Sequence, residues 1–191
     1  MTIAHPERVR LTADQYLKLG EDPPGVRLEL VNGEIIVSAS PSTPPAYTLT
    51  RLLVALANHV VAKNLGVVMS DTDHVLGMYD VRRPDIYFFS KDRIHLIEEG
   101  PIRHPPDLAV EVVSPTSGRV DRIEKFEQYR AFGIAHYWIV DPKARAAKAF
   151  KLLRRRKYSP AGAGSRNDIV NFPPFEDLDI ALGDLWWPPK A

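Results

Sequence analysis

Residues 107–114 read Asp-Leu-Ala-Val-Glu-Val-Val-Ser, and no other stretch constrains the fold as much. The side chains are apolar at both alternating sets of positions. That is the mark of a strand covered on both faces, so the chain needs a sheet with helices packed against it. Glu111 breaks the pattern. A carboxylate in such a strand is rare unless it is paired, hydrogen-bonded or bound to a metal.

The rest of the chain supplies the covering layers. Leu11 to Leu19 has the period of a short helix, with Thr12 as N-cap and Gln15 three residues on, as in a capping box. Two apolar-rich runs flank Asn32-Gly33, the strongest short hairpin signal. From Ala46 to Asn64, Leu49, Leu52, Leu53, Leu56, Val60 and Val61 recur at helical spacing. Strands are expected in GVVMSDTDHVLG, DIYFFS and DLAVEVVS, then a helix over Arg119 to Phe132 ended by Gly133, then the strand AHYWIVD. KAFKLLRRRKYS is expected as a further exposed strand, in a hairpin that turns at Asp141-Pro142. A helix between DLAVEVVS and AHYWIVD predicts one parallel crossover. The expected fold class is α/β, a mixed sheet flanked by helices, with an N-terminal helix and β-hairpin. A single domain over 1–191 is expected, with its core at about 25–160.

Composition removes several functions. With no cysteine there is no disulfide, thiolate metal site or cysteine nucleophile. No signal-peptide core and no run of about 18 apolar residues is found, so the expected location is cytoplasmic with no membrane contact. The net charge of +1 means that any contact with nucleic acid must rest on a local patch or a metal. The six histidines show no metal-ligand spacing.

Asp85 opens the second apolar run, DIYFFS. If the strands carrying Asp85 and Glu111 are neighbours, the two carboxylates converge at one end of the sheet. Converging carboxylates suit a hard divalent cation such as Mg2+ or Mn2+. The alternative is that each acid pairs with an arginine, for which Arg82 and Arg83 stand ready. In the helix 119–132, Ile123 and Phe126 mark the expected buried side, and Arg122, Lys125 and Tyr129 form an adjacent stripe. Lys125 could reach the acid pair; alone it would read as a surface lysine bridged to Asp121. From Lys143 to Lys157 eight basic residues occur without an acid, a surface for phosphates or a charged edge strand.

RRPDIYFFS, DLAVEVVSP and RVDRIEKFEQYRAFGIAHYWIVDP, in that order, resemble the PD-(D/E)XK nuclease superfamily. More narrowly, with ELVNGEIIV and LDIALGDLW, they resemble its bacterial branch of uncharacterised restriction endonuclease-like proteins. The resemblance spans roughly residues 11 to 187. It implies metal-dependent hydrolysis of nucleic-acid phosphodiesters, with Asp85 and Glu111 as catalytic metal ligands and the Val112 carbonyl as a further one. The usual lysine position, two after Glu111, is Val113, so the resemblance assigns the catalytic lysine to Lys125. A histidine that relatives carry before the long helix is absent from STPPAY. Glu29 is an accessory ligand candidate, better read as a paired strand carboxylate. Arg154, Arg155 and Arg156 are candidate nucleic-acid contacts. The expected cofactor is Mg2+ or Mn2+, and the expected partners are nucleic acid, DNA first, and a second copy in a homodimer. A catalytically silent binding or assembly protein on the same fold is the alternative.

Overall fold

The computed structural model describes residues 10–114 and 121–188. The N-terminal helix α1 (Ala13–Leu17) has the expected capping box between Thr12 and Gln15. Strands β1 (Val26–Val31) and β2 (Glu34–Ala39) form the predicted hairpin. Asn32 and Gly33 turn it with φ of 52° and 79°, a left-handed pair that glycine and asparagine adopt at least cost. Helix α2 (Thr43–Lys63) begins three residues before the expected start at Ala46, because Pro44 and Pro45 are tolerated in a first turn. Its C-cap is Asn64 in the left-handed conformation.

The expected strand GVVMSDTDHVLG is two strands, β3 (Gly66–Met69) and β4 (His74–Gly77), followed by an unforeseen β5 (Asp80–Arg82). Then come β6 (Ile86–Ser90), a 3-10 turn at Lys91–Leu96, and β7 (Leu108–Val112). A π-turn at Asp121–Lys125 leads into helix α3 (Phe126–Phe132), while the Arg119 start expected for this helix lies outside the described residues. Gly133 ends α3. Strands β8 (His136–Asp141) and β9 (Ala146–Leu153) form the expected hairpin. The run KAFKLLRRRKYS is not one strand: Arg154 to Arg156 turn the chain into β10 (Lys157–Ser165), with Arg155 and Arg156 at positive φ. The tail adds β11 (Ile169–Phe172), β12 (Phe175–Ala181) and a 3-10 turn at Leu182–Leu185.

Two main sheets result. The larger has the order β10-β9-β8-β7-β6-β3, antiparallel except for the predicted parallel pair β7-β8. The smaller has the order β2-β1-β5-β4. Strand β7 is central, and all five of its residues are buried. Leu52, Leu56 and Val60 of α2 share one apolar cluster with Ile86, Phe88, Val110 and Trp138. Each fully buried side chain of this kind contributes roughly 1.5–3 kcal/mol. On the opposite face, Ala109, Val113, Tyr137 and Ile139 share a cluster with Tyr129 of α3.

Candidate active site

The two sheets are joined by Arg82-Arg83-Pro84-Asp85. The first residue belongs to β5 and the last stands just before β6, so the segment carries charge to the seam between the sheets. The register Ile86↔Val110 places Asp85 beside the Glu111 end of β7. Continued by two residues, it sets Pro84 opposite Val112. Proline has no N–H, so it cannot donate to the Val112 carbonyl. The Val112 N–H instead donates to Asp85 Oδ2 at 2.7 Å.

Lys125 is not a surface lysine. It is 4% exposed, and its Nζ lies 2.7 Å from Glu111 Oε2 and 3.5 Å from Glu29 Oε1. One turn on, the Tyr129 hydroxyl donates to Glu111 Oε1 at 2.6 Å. The buried stripe of this segment is therefore Lys125 and Tyr129, whereas Ile123, expected inside, is 56% exposed. Two long polar side chains point inward because a carboxylate buried in β7 must be met. Burial, reinforced by the nearby Glu111 charge, pushes the Tyr129 hydroxyl pKa far up, so it stays a donor.

Of the two acids, Asp85 does pair with an arginine, but not with a neighbour in sequence. Asp85 Oδ1 accepts from Arg27 Nη1 of β1 at 2.8 Å. Arg82, wholly buried, reaches Glu29 Oε2 at 3.1 Å. Arg83 turns away to Asp73 and Asp22, at 2.9 and 2.8 Å. Glu29 also accepts the Arg83 N–H at 2.8 Å. Burial alone would raise the Glu29 pKa; Lys125, Arg82 and Arg27 overcome it and hold the carboxyl at about 2. Glu29 is thus a strand carboxylate paired on both oxygens.

These groups line one cleft of about 280 Å³, to which Arg27, Glu29, Asp85, Glu111, Val112 and Lys125 all contribute. Ile36, Val37, Pro45 and Leu49 form its apolar wall. As for a cation, Asp85, Glu111 and Val112 line one space, and their carboxylates and backbone carbonyl are hard oxygen donors of the kind that suits Mg2+ or Mn2+. Among the described residues, however, no three acidic or histidine side chains form a ready-made metal cluster. Arg27 and Lys125 now occupy oxygens of the two acids and would have to yield them.

Arg154, Arg155 and Arg156 do not join this group. Glu111 pairs in register with Ile139, and Ile139 with Lys148, so the site sits at the β8-β9 turn end of the sheet. The three arginines turn the chain at the other end, where the Arg156 guanidinium donates to the Ala131 carbonyl at the close of α3. Sequence reasoning missed Arg27 and assigned Tyr129 no role. Arg27 sits 58 residues from its partner in a strand that reads as ordinary.

A mixed sheet with an acid pair at its centre and a lysine brought in by the crossover helix defines a restriction endonuclease-like fold. The chain belongs to the Uma2 family, described as "Putative restriction endonuclease", whose model matches residues 13–183. Among solved structures, a "putative nuclease belonging to DUF820 from Anabaena variabilis ATCC 29413" matches with a TM-score of 0.74 and 21% identity, over 92% of this chain and 97% of that one. No curated protein matches the chain.

Proposed function

We propose that the protein is a metal-dependent nuclease that hydrolyses nucleic-acid phosphodiester bonds, with DNA as the first substrate to test. The observation that carries this reading is the meeting of Asp85, Glu111 and Lys125 in one cleft, from three separate elements. Membership of the family supports it. Asp85, Glu111 and the Val112 carbonyl would hold Mg2+ or Mn2+, which when bound supplies Lewis-acid polarisation of a phosphoryl oxygen.

The chain's own residues supply the rest. The Lys125 ammonium places positive charge where a phosphoryl oxygen would gain negative charge in the transition state. Tyr129 holds one oxygen of Glu111, so the carboxylate stays oriented when Lys125 yields the other to a metal. The Val112 N–H orients Asp85 from the backbone. Ile36, Val37, Pro45 and Leu49 give one side of the cleft an apolar lining.

Pure protein with Mg2+ or Mn2+ should cleave DNA, and Asp85→Ala should abolish cleavage. Cleavage that survives in the variant, or none by the parent, sinks the reading. One observation favours a second reading, a nucleic-acid-binding protein without turnover: each acid of the site already faces a cation of the chain. Binding of DNA that neither metal ion converts to cleavage would select it.

A further inference from the structure

The eight basic residues between Lys143 and Lys157 are continuous in sequence but divided in space. Strand β9 carries them from one end of the large sheet to the other. Lys148 lies level with Glu111 through the row Glu111↔Ile139↔Lys148. Residues paired in register share a face, and the row crosses two strand spacings, roughly 10 Å. Lys143 and Arg145 stand in the turn just beyond this row, and Arg166 is tied to it by its N–H to the Arg145 carbonyl at 2.7 Å. All four side chains are exposed, and none makes an ion pair with an acid among the described residues. The two acids close in sequence are otherwise engaged: Asp141 accepts the Ala144 N–H, and Asp168 the Ser165 N–H. Arg154 lies six residues of strand from Lys148, roughly 20 Å away along β9.

We infer that Lys143, Arg145, Lys148 and Arg166 form the surface that holds the nucleic-acid phosphate backbone at the site, and that the Arg154–Arg156 turn does not. The partner is a polyanion because the patch is wholly cationic and continues the cleft's end of the sheet. The assignment rests on the nuclease reading of the cleft, but it is tested by binding alone.

The test is anisotropy of a fluorescein-labelled DNA duplex in EDTA, across a range of salt, with an RNA duplex as second arm. The combined variant Lys143→Glu, Arg145→Glu, Lys148→Glu should weaken binding at least about tenfold and flatten the salt dependence by roughly two to three in slope. Arg154→Glu with Arg155→Glu should stay within about twofold of the parent, and Lys148→Glu alone should give part of the loss. Circular dichroism melts check that each variant is folded. The same loss with RNA supports backbone contact in either polymer. An unchanged triple variant, or a loss confined to the Arg154 and Arg155 variant, overturns the surface and leaves the nuclease reading standing. No binding by the parent to either duplex overturns both.

Discussion

The two faces of strand β7 are built from adjacent residues and do opposite things. Val110 and Val112 point into an apolar cluster beneath the 21-residue helix α2. Glu111, between them, points to the face where the π-turn delivers a lysine and the seven-residue α3 a tyrosine. The first face needs only shape and apolar area. The second needs partners at hydrogen-bond distance, because an unmatched buried charge costs several kcal/mol. Apolar packing alone thus fills one side of the strand, and a buried polar network joins the apolar cluster on the other.

The sharpest way to break this contrast is Lys125→Met. It leaves Glu111 buried without its cation, and should destabilise the protein by about 3–5 kcal/mol in urea unfolding while removing cleavage. Adding Glu111→Leu should restore most of the stability and none of the activity. A double variant no more stable than Lys125→Met would show that the polar face is structural in some other way. On the α2 face, Leu56→Ala should cost about 2–5 kcal/mol, yet leave the rate per folded molecule unchanged. A rate that falls with it would mean that the two faces are not separable.

A third effect is in acid. His74 of β4 is fully buried and stacked edge-on against Tyr87, and burial lowers its pKa from 6.5 to about 4. The unfolded chain therefore binds this proton first, and stability falls as pH drops from about 6.5 to about 4, by roughly 3 kcal/mol. His74→Gln should flatten that part of the profile. Glu29 follows lower down, its contribution being complete above its unfolded pKa of about 4.5 and lost towards pH 2. A wild-type profile flat between about pH 6.5 and 4 would remove His74 from this account.

Periodicity exposed most of the fold: the capping box, the Asn-Gly hairpin, α2, the central strands and the parallel crossover all stand where local pattern puts them. It failed where local pattern is silent. The short β5 carries only three residues, and the Arg154–Arg156 turn has no glycine or asparagine to announce positive φ. In the site, Asp85 and Glu111 stood out because acids are conspicuous in apolar strands. Lys125 was legible only through resemblance, because a lysine on a helix carries no sign of burial. Arg27 could not be read at all, since its partner is fixed by how two sheets meet.

The route by which the amine arrives has one more consequence. In a strand-borne arrangement, acid and base would be locked together by one ladder of hydrogen bonds. Here Lys125 comes on a π-turn and a two-turn helix whose hold on the sheet is a few side chains, among them Gln128, which links Arg82 to Asp80. Short elements of that kind open locally at lower free energy than a central sheet. Heating should therefore silence the protein before it melts it, with cleavage lost while the strands remain intact.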